Sequence, residues 1–419
     1  MAIIRLALKS VWNRRVTAGL TVLAIGLSVA MLLGVEKLRR DAREGFANTI
    51  SGTDLIVGAR SGAVQLLLYS VFRIGSATNN ISWKSYLDIT QHPRVKWTVP
   101  LSLGDAHRGY RVLGTTLDYF ERYRYAGGEP LRFATGKPFN DVFDAVLGAE
   151  AAERLGYALG DDIIIAHGAG DVSLIEHDDK PFRVSGILAR TGTPVDRTVH
   201  VSLAGIEAMH ADWRSGMPVP GQRVSADDAR EMDLTPEAIT AFLVGLDSKI
   251  AVFALQRHIN EYKGEALLAT IPGVALQELW DLMGVAENAL RILSLLVVTT
   301  GLLGMLTMIL SSLEARRREM AVLRSVGARP LHIFGLFMSE AGLLALLGVG
   351  AGVLLLYGII LMGRPIAARE FGLYLPIGLP QARDFMVLGI VVLAGFVVGG
   401  VPALRAYRLS LADGLSMTV

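Results

Sequence analysis

Cysteine is absent from all 419 residues. Disulfides, thiolate metal sites and cysteine nucleophiles are therefore excluded, and any domain outside the membrane must rely on its own hydrophobic core. Charge is scarce: Asp, Glu, Lys and Arg make up 19% of the chain, against about 25% in ordinary soluble domains. The formal net charge is +2, too small to make a global basic field, so no nucleic-acid partner is expected. A phosphate loop is missing, because Gly136-Lys137 runs into Pro138 and has no first glycine at the required spacing. There is no His-Glu-x-x-His motif and no Gly-x-Ser-x-Gly elbow either. The sequence thus points to a non-catalytic chain, and any ATP hydrolysis is expected on a separate polypeptide.

What is abundant is apolar sequence: 52% of residues are hydrophobic and the mean hydropathy is +0.43. The excess is concentrated in four runs without Asp, Glu, Lys or Arg: Val16–Val35, Ile292–Leu313, Ala341–Gly363 and Phe385–Leu404. Each is close to the roughly 20 residues that cross a bilayer as a helix. The first run could also be read as a signal peptide, with Arg14 and Arg15 as its charged start and Ser28-Val29-Ala30 as its cleavage site. Its continuation through Met31, Leu32, Leu33 and Val35 favours an uncleaved span.

Arg5, Lys9, Arg14 and Arg15 precede the first span; Arg316, Arg317, Arg318, Arg324 and Arg329 follow the second; Arg405 and Arg408 follow the fourth. Four crossings put these clusters on one side, and the positive-inside rule makes that side cytoplasmic. The expected division is a cytoplasmic helix at 1–15, spans at 16–35, 288–313, 331–363 and 385–404, and an extracytoplasmic α/β domain at 36–287. A cytoplasmic helix at 314–330, a short outer loop at 364–384 and a cytoplasmic tail at 405–419 complete it. The fold class is a four-span α-helical membrane protein with a large mixed α/β domain inserted between the first and second spans.

Gly26, Ala30 and Gly34 recur at four-residue intervals, as do Gly348 and Gly352, and Gly395 and Gly399. Small residues at this spacing allow close helix packing in lipid, although glycine and alanine are common in membrane helices anyway. In the outer domain, Asp54–Val57, Ile163–Ala166, Phe182–Leu188 and Thr198–Leu203 read as strands. Ala149–Leu155, Pro236–Leu246 and Gln256–Tyr262 read as helices, with Gly156 as a C-cap and Gly216–Gly221 as a loop or subdomain junction. Ala63–Ile74 is too short to span; an ordinary buried helix accounts for it, with a cavity lining or a surface helix as alternatives. The polar patch of His167, Glu176, His177, Asp178 and Asp179 reads as a solvated hairpin, leaving His167 and His177 as weak metal candidates.

The stretch Leu313-Glu-Ala-Arg-Arg-Arg-Glu-Met-Ala-Val-Leu-Arg-Ser-Val-Gly-Ala-Arg329 resembles the cytoplasmic segment of the MacB, FtsX and LolC/LolE permease family. Arg318, Glu319, Leu323, Arg324, Gly327 and Ala328 occupy the matching positions, while Ala321 stands where the family has glycine. Four further segments agree. Ala7–Ala30 resembles the basic N-terminal helix leading into the first span, and Ser339-Glu340-Ala341 with Gly348–Gly352 resembles the third span. Val401–Ala406 with Leu411–Leu415 resembles the C-terminal motif, and Val146–Ile165 with Phe182–Leu203 resembles the periplasmic core. Independently, Met320, Val322, Leu323 and Val326 interleave with charged residues to make an amphipathic helix.

The resemblance implies an ABC-type permease subunit in the bacterial inner membrane, working as a homodimer or a pair of permeases with separate ATPase subunits. ATP and Mg would be bound by that ATPase, none by this chain. Arg316, Arg317, Arg318, Glu319, Leu323, Arg324 and Gly327 would form the coupling helix that docks on it. Glu340, about 12–15 Å into the third span by helix rise, is expected in a structural or coupling role. The implied action is mechanotransmission: export, release or extraction of a substrate, with a periplasmic adaptor, lipoprotein or outer-membrane channel as further partners. Control of an extracytoplasmic cell-wall hydrolase and a membrane receptor without ATPase stay open as alternatives, as does the substrate.

Overall fold

The computed structural model describes residues 2–167, 175–176, 179–214, 217–218, 224–315, 317–370 and 377–408. They divide into two compact units, one made of residues up to Asp41 and from Gly284 onward, the other of Ala42–Met283.

The first unit is helical. Its elements are α1 (Ala2–Asn13), α2 (Arg15–Thr49), α3 (Pro272–Ala315), α4 (Arg317–Ser325), α5 (Pro330–Glu370) and α6 (Ala382–Arg408). Among these, α2, α3, α5 and α6 are long and apolar enough to cross a membrane. Helix α2 does not stop with its apolar run at Val35 but continues to Thr49, and α3 begins well before its apolar run, at Pro272. Both helices therefore extend without a break into residues of the second unit. Helix α4 ends where Gly327 adopts φ +98°, with Gly327 N–H donating to the Arg324 carbonyl and Ala328 N–H to the Leu323 carbonyl. Only a residue without Cβ takes that left-handed turn cheaply, and Pro330, lacking an N–H, starts α5 where none is needed.

A core of Ile25, Val29, Met305, Phe337, Leu344 and their neighbours holds the bundle together. Its helices touch at the small residues. A Cβ added to Gly26 would lie 3.3 Å from Ala351 Cβ, and one added to Gly352 would lie 2.7 Å from Val29 Cβ and 2.8 Å from the Gly26 carbonyl oxygen. Gly348 faces Ile25, Gly34 faces Leu356, Gly395 faces Ala345, Gly399 faces Ala341, and Ala30 is buried.

The second unit is built on a mixed sheet. In chain order its main strands are β1 (Leu55–Ala59), β2 (Val95–His107), β3 (Tyr110–Thr115), β4 (Phe133–Gly136), β5 (Asp144–Leu147), β6 (Phe182–Leu188), β7 (Thr198–Ser202), β8 (Ala241–Leu246) and β9 (Leu267–Thr270). Across the sheet they run β9-β1-β8-β2-β3-β7-β5-β6-β4. The pairs β3/β7 and β5/β6 are parallel and the other neighbours antiparallel. The Ala149–Leu155 helix lies where the sequence places it, and Gly156 caps it with φ +75°; the helix expected over Gln256–Tyr262 instead runs Val252–Asn260, starting earlier and stopping before Glu261.

One expectation is corrected. Pro236–Leu246 is not helical: Ala238–Ile239 forms a short bridge with Ile81–Ser82, and Ala241–Leu246 is β8, paired with β1 on one side and β2 on the other. All six residues of β8 are buried. A strand covered on both faces shows no alternation, so its apolar run reads like that of a buried helix. The strand expected over Ile163–Ala166 divides into two short pieces, Asp162–Ile163 on β6 and Ala166–His167 on β2. Of the Gly216–Gly221 junction, Met217–Pro218 pairs with Trp213–Arg214, and the remaining residues lie outside those described.

Candidate functional site

Helix α4 follows α3 in the chain and precedes α5. Arg317, Arg318 and Glu319 occupy its first turn; Arg316 lies outside the described residues. Met320 and Ala321 are buried, Met320 within the bundle core, whereas Val322 is 58% exposed and Val326, just beyond the helix, is 83% exposed. Leu323 and Arg324 are half-buried. The apolar residues therefore divide: Met320 and Ala321 anchor the helix, while Val322 and Val326 stay uncovered. That is the arrangement of a helix with a second surface to fill.

Glu340 sits ten positions into α5 and is 1% exposed. The hydroxyl of Ser10, on α1, donates to its Oε1 at 3.3 Å. The carboxylate therefore joins α5 to the N-terminal helix that packs along it.

A second charged assembly, not singled out from the sequence, ties together the ends of α2, α3 and α6. Glu36 Oε1 lies 2.6 Å from Arg39 Nη2 and 3.8 Å from Arg383 Nη1, and its Oε2 lies 3.9 Å from Arg291 Nη2. Arg39 reaches Glu287 at 3.7 Å, Arg40 reaches Asp384 at 3.3 Å, and Lys37 meets Asp41 at 2.9 Å. Each of these residues borders an apolar run at the same end of the bundle, and that parity was the signal available in the sequence.

In the second unit, Ala166–His167 pairs with Ile175–Glu176, so His167 lies across from Ile175. His177 and Asp178 lie outside the described residues. Asp179 is taken up by Lys180, whose fully buried ammonium also meets Asp212. Among the described residues no group of three His, Asp or Glu converges as a metal site would.

Comparison with known proteins places two domains along this chain. The MacB-like periplasmic core domain matches residues 18–261, and the FtsX-like permease C-terminal domain matches residues 291–411. The macrolide export ATP-binding/permease protein MacB of Nitrobacter winogradskyi is 25% identical over 426 residues, covering 96% of this chain and 58% of that protein. The pyoverdine export ATP-binding/permease protein PvdT of Pseudomonas fluorescens is 26% identical over 314 residues, covering 74% of this chain and 43% of that one. The chain thus spans less than two thirds of the length of these relatives. The crystal structure of the periplasmic region of MacB from Actinobacillus actinomycetemcomitans aligns with 55% of this chain and 94% of its own, at 12% identity and a TM-score of 0.35.

Proposed function

The chain belongs to the permeases that join a MacB-like periplasmic core domain to an FtsX-like C-terminal half, and on that premise we propose that it is the membrane subunit of an ABC-type export machine. Positive-inside charge puts both termini and α4 in the cytoplasm and the sheet domain outside. An ATPase that binds ATP and Mg docks on α4, and a second permease copy completes the transmembrane unit. Macrolide export and pyoverdine export are named for the relatives, which favours export over control of a cell-wall hydrolase.

The observation that carries this reading is the divided surface of α4. Met320 and Ala321 fix it to the bundle while Val322 and Val326 stay uncovered. Covering such side chains with a partner stabilises by about 1–2 kcal/mol each, and the neighbouring charges, Arg318, Glu319 and Arg324, set orientation. A push on α4 passes through Met320 to the core and through the Gly327 turn to α5. Helices α2 and α3 continue into the outer domain as unbroken helices, so a tilt of either is carried along the chain itself. The outer domain moves without any substrate passing between the spans.

The test is affinity co-purification of the tagged chain from its own membranes in mild detergent, beside an Arg318→Glu/Arg324→Glu double variant. An ABC ATPase should accompany the native chain and be lost from the variant, while variant yield and monodispersity stay unchanged. Recovery of no ATPase with the native chain would remove the basis of the proposal.

A further inference from the structure

The outer domain has a cavity of about 350 Å³, within the range of small-molecule sites, about 300–1,000 Å³. It lies between the end of the Ala63–Ser70 helix, the chain that follows it, and strands β2 and β3. Its only charged lining residues are Arg73 and Arg111, and it has no acidic one. Tyr69 and Leu103 supply apolar wall, and Thr78 and Asn79 supply neutral polar groups.

Both guanidiniums are held in place by carbonyl groups, not carboxylates. Arg73 Nη1 donates to the Ser70 carbonyl, and Arg111 Nη2 donates to the Gly75 carbonyl at 3.1 Å. Among the described residues neither has an ion-pair partner; Arg73 Nε is buried with no acceptor in hydrogen-bond geometry, and the buried Tyr119 hydroxyl lies close enough to be stabilised by Arg73. Behind Arg73 lie Tyr119, Tyr123 and His200, all buried and uncharged side chains that feel its positive charge. Arg73 also holds φ +60°, a left-handed backbone unusual for a residue with a side chain. A part-buried cation without an anion is costly, and here two of them face one cavity.

We propose that this cavity binds a small organic oxyanion, with Arg73 and Arg111 gripping its carboxylate or phosphate group and its apolar body lying against Tyr69 and Leu103. Guanidinium forks suit either oxyanion. The site belongs to the outer domain alone and does not depend on coupling to an ATPase.

The experiment is ¹⁹F NMR of 4-fluorobenzoate, 4-fluorophenyl phosphate and neutral 4-fluorobenzyl alcohol with the purified full chain, using empty micelles as blank. At least one oxyanion should broaden saturably beyond the blank, and the alcohol should not. Arg111→Gln should raise the half-saturation concentration at least tenfold, and Arg111→Lys should restore part of it. Arg111 is half-buried at the cavity, and circular dichroism checks that its variants keep the native unfolding profile. Preference for benzoate or for the phosphate ester assigns the anion's class, and either preference upholds the site. Equal broadening by the alcohol, no saturable broadening by either oxyanion, or undiminished binding by Arg111→Gln would overturn it.

Discussion

Lys180 is fully buried, and its ammonium lies 2.9 Å from both Asp179 and Asp212. Burial opposes the charge on Asp212, but the hydrogen bond and charge of Lys180 outweigh it and hold the carboxyl below its ordinary range. Among the described residues Glu207 has no such partner to offset burial: desolvation, with the neighbouring Glu237 carboxylate, pushes it from 4.5 up to about 7. Its proton is therefore kept in the folded state and released first by the unfolded chain. Its contribution is full below about 4.5 and is lost as pH rises towards about 7. His200 acts in the opposite sense. Burial, then the charge of Arg73, depresses it from 6.5 to about 3, so its contribution is full above 6.5 and is lost as pH falls towards 3. Comparing the native chain with Glu207→Gln isolates the first effect. Thermal unfolding of the variant should gain on the native protein steadily between pH 4.5 and 7 and hold a constant lead above that. A lead that does not change with pH would contradict the assignment.

At the scale of elements, the bundle depends on close approach between α2 and α5. Gly352 has no room for a methyl group, since Val29 Cβ and the Gly26 carbonyl already fill its position. Gly350, two residues away on the same helix, has nothing within 4 Å of the same point. Gly352→Ala should therefore cost about 1–3 kcal/mol by overpacking, while Gly350→Ala should be neutral or slightly stabilising through helix propensity. Fluorescence-detected size exclusion after a heating series would resolve the pair. Equal effects from the two substitutions would mean that helix propensity, and not the α2/α5 contact, sets the outcome.

At the scale of the whole molecule, orientation is the property to measure, and the absence of native cysteine makes it accessible. Single substitutions Ser325→Cys, on α4, and Lys263→Cys, in the sheet domain, can be challenged in spheroplasts with a membrane-impermeant maleimide. The proposed topology predicts labelling of the Lys263→Cys chain in intact spheroplasts, and of the Ser325→Cys chain only after lysis. The reverse pattern would invert the molecule and expose α4 to the wrong side for a cytoplasmic ATPase.

The spans were legible because lipid demands about 20 uninterrupted apolar residues, a requirement met within single stretches such as Ala341–Gly363. Phe182–Leu188 and the Ala149–Leu155 helix with its Gly156 cap were legible for the same reason: alternation, propensity and a left-handed cap are written in neighbouring residues. Of the candidate coupling site, the amphipathic character of α4 could be read from Met320, Leu323 and Arg324, but not that Met320 faces inward while Val322 and Val326 face out. Periodicity gives a face, and only the neighbouring helices determine what covers it.

The sequence by itself determined the number of spans, their charge asymmetry and the insertion of an α/β domain between the first two. Those features follow from local composition against the bilayer. Only the tertiary structure decided that Ala241–Leu246 is a central strand, that Glu36 gathers Arg39, Arg291 and Arg383, and that Arg73 and Arg111 share one cavity. These outcomes depend on partners far apart in the chain, whose burial and charge balance exist only once the chain has closed around them.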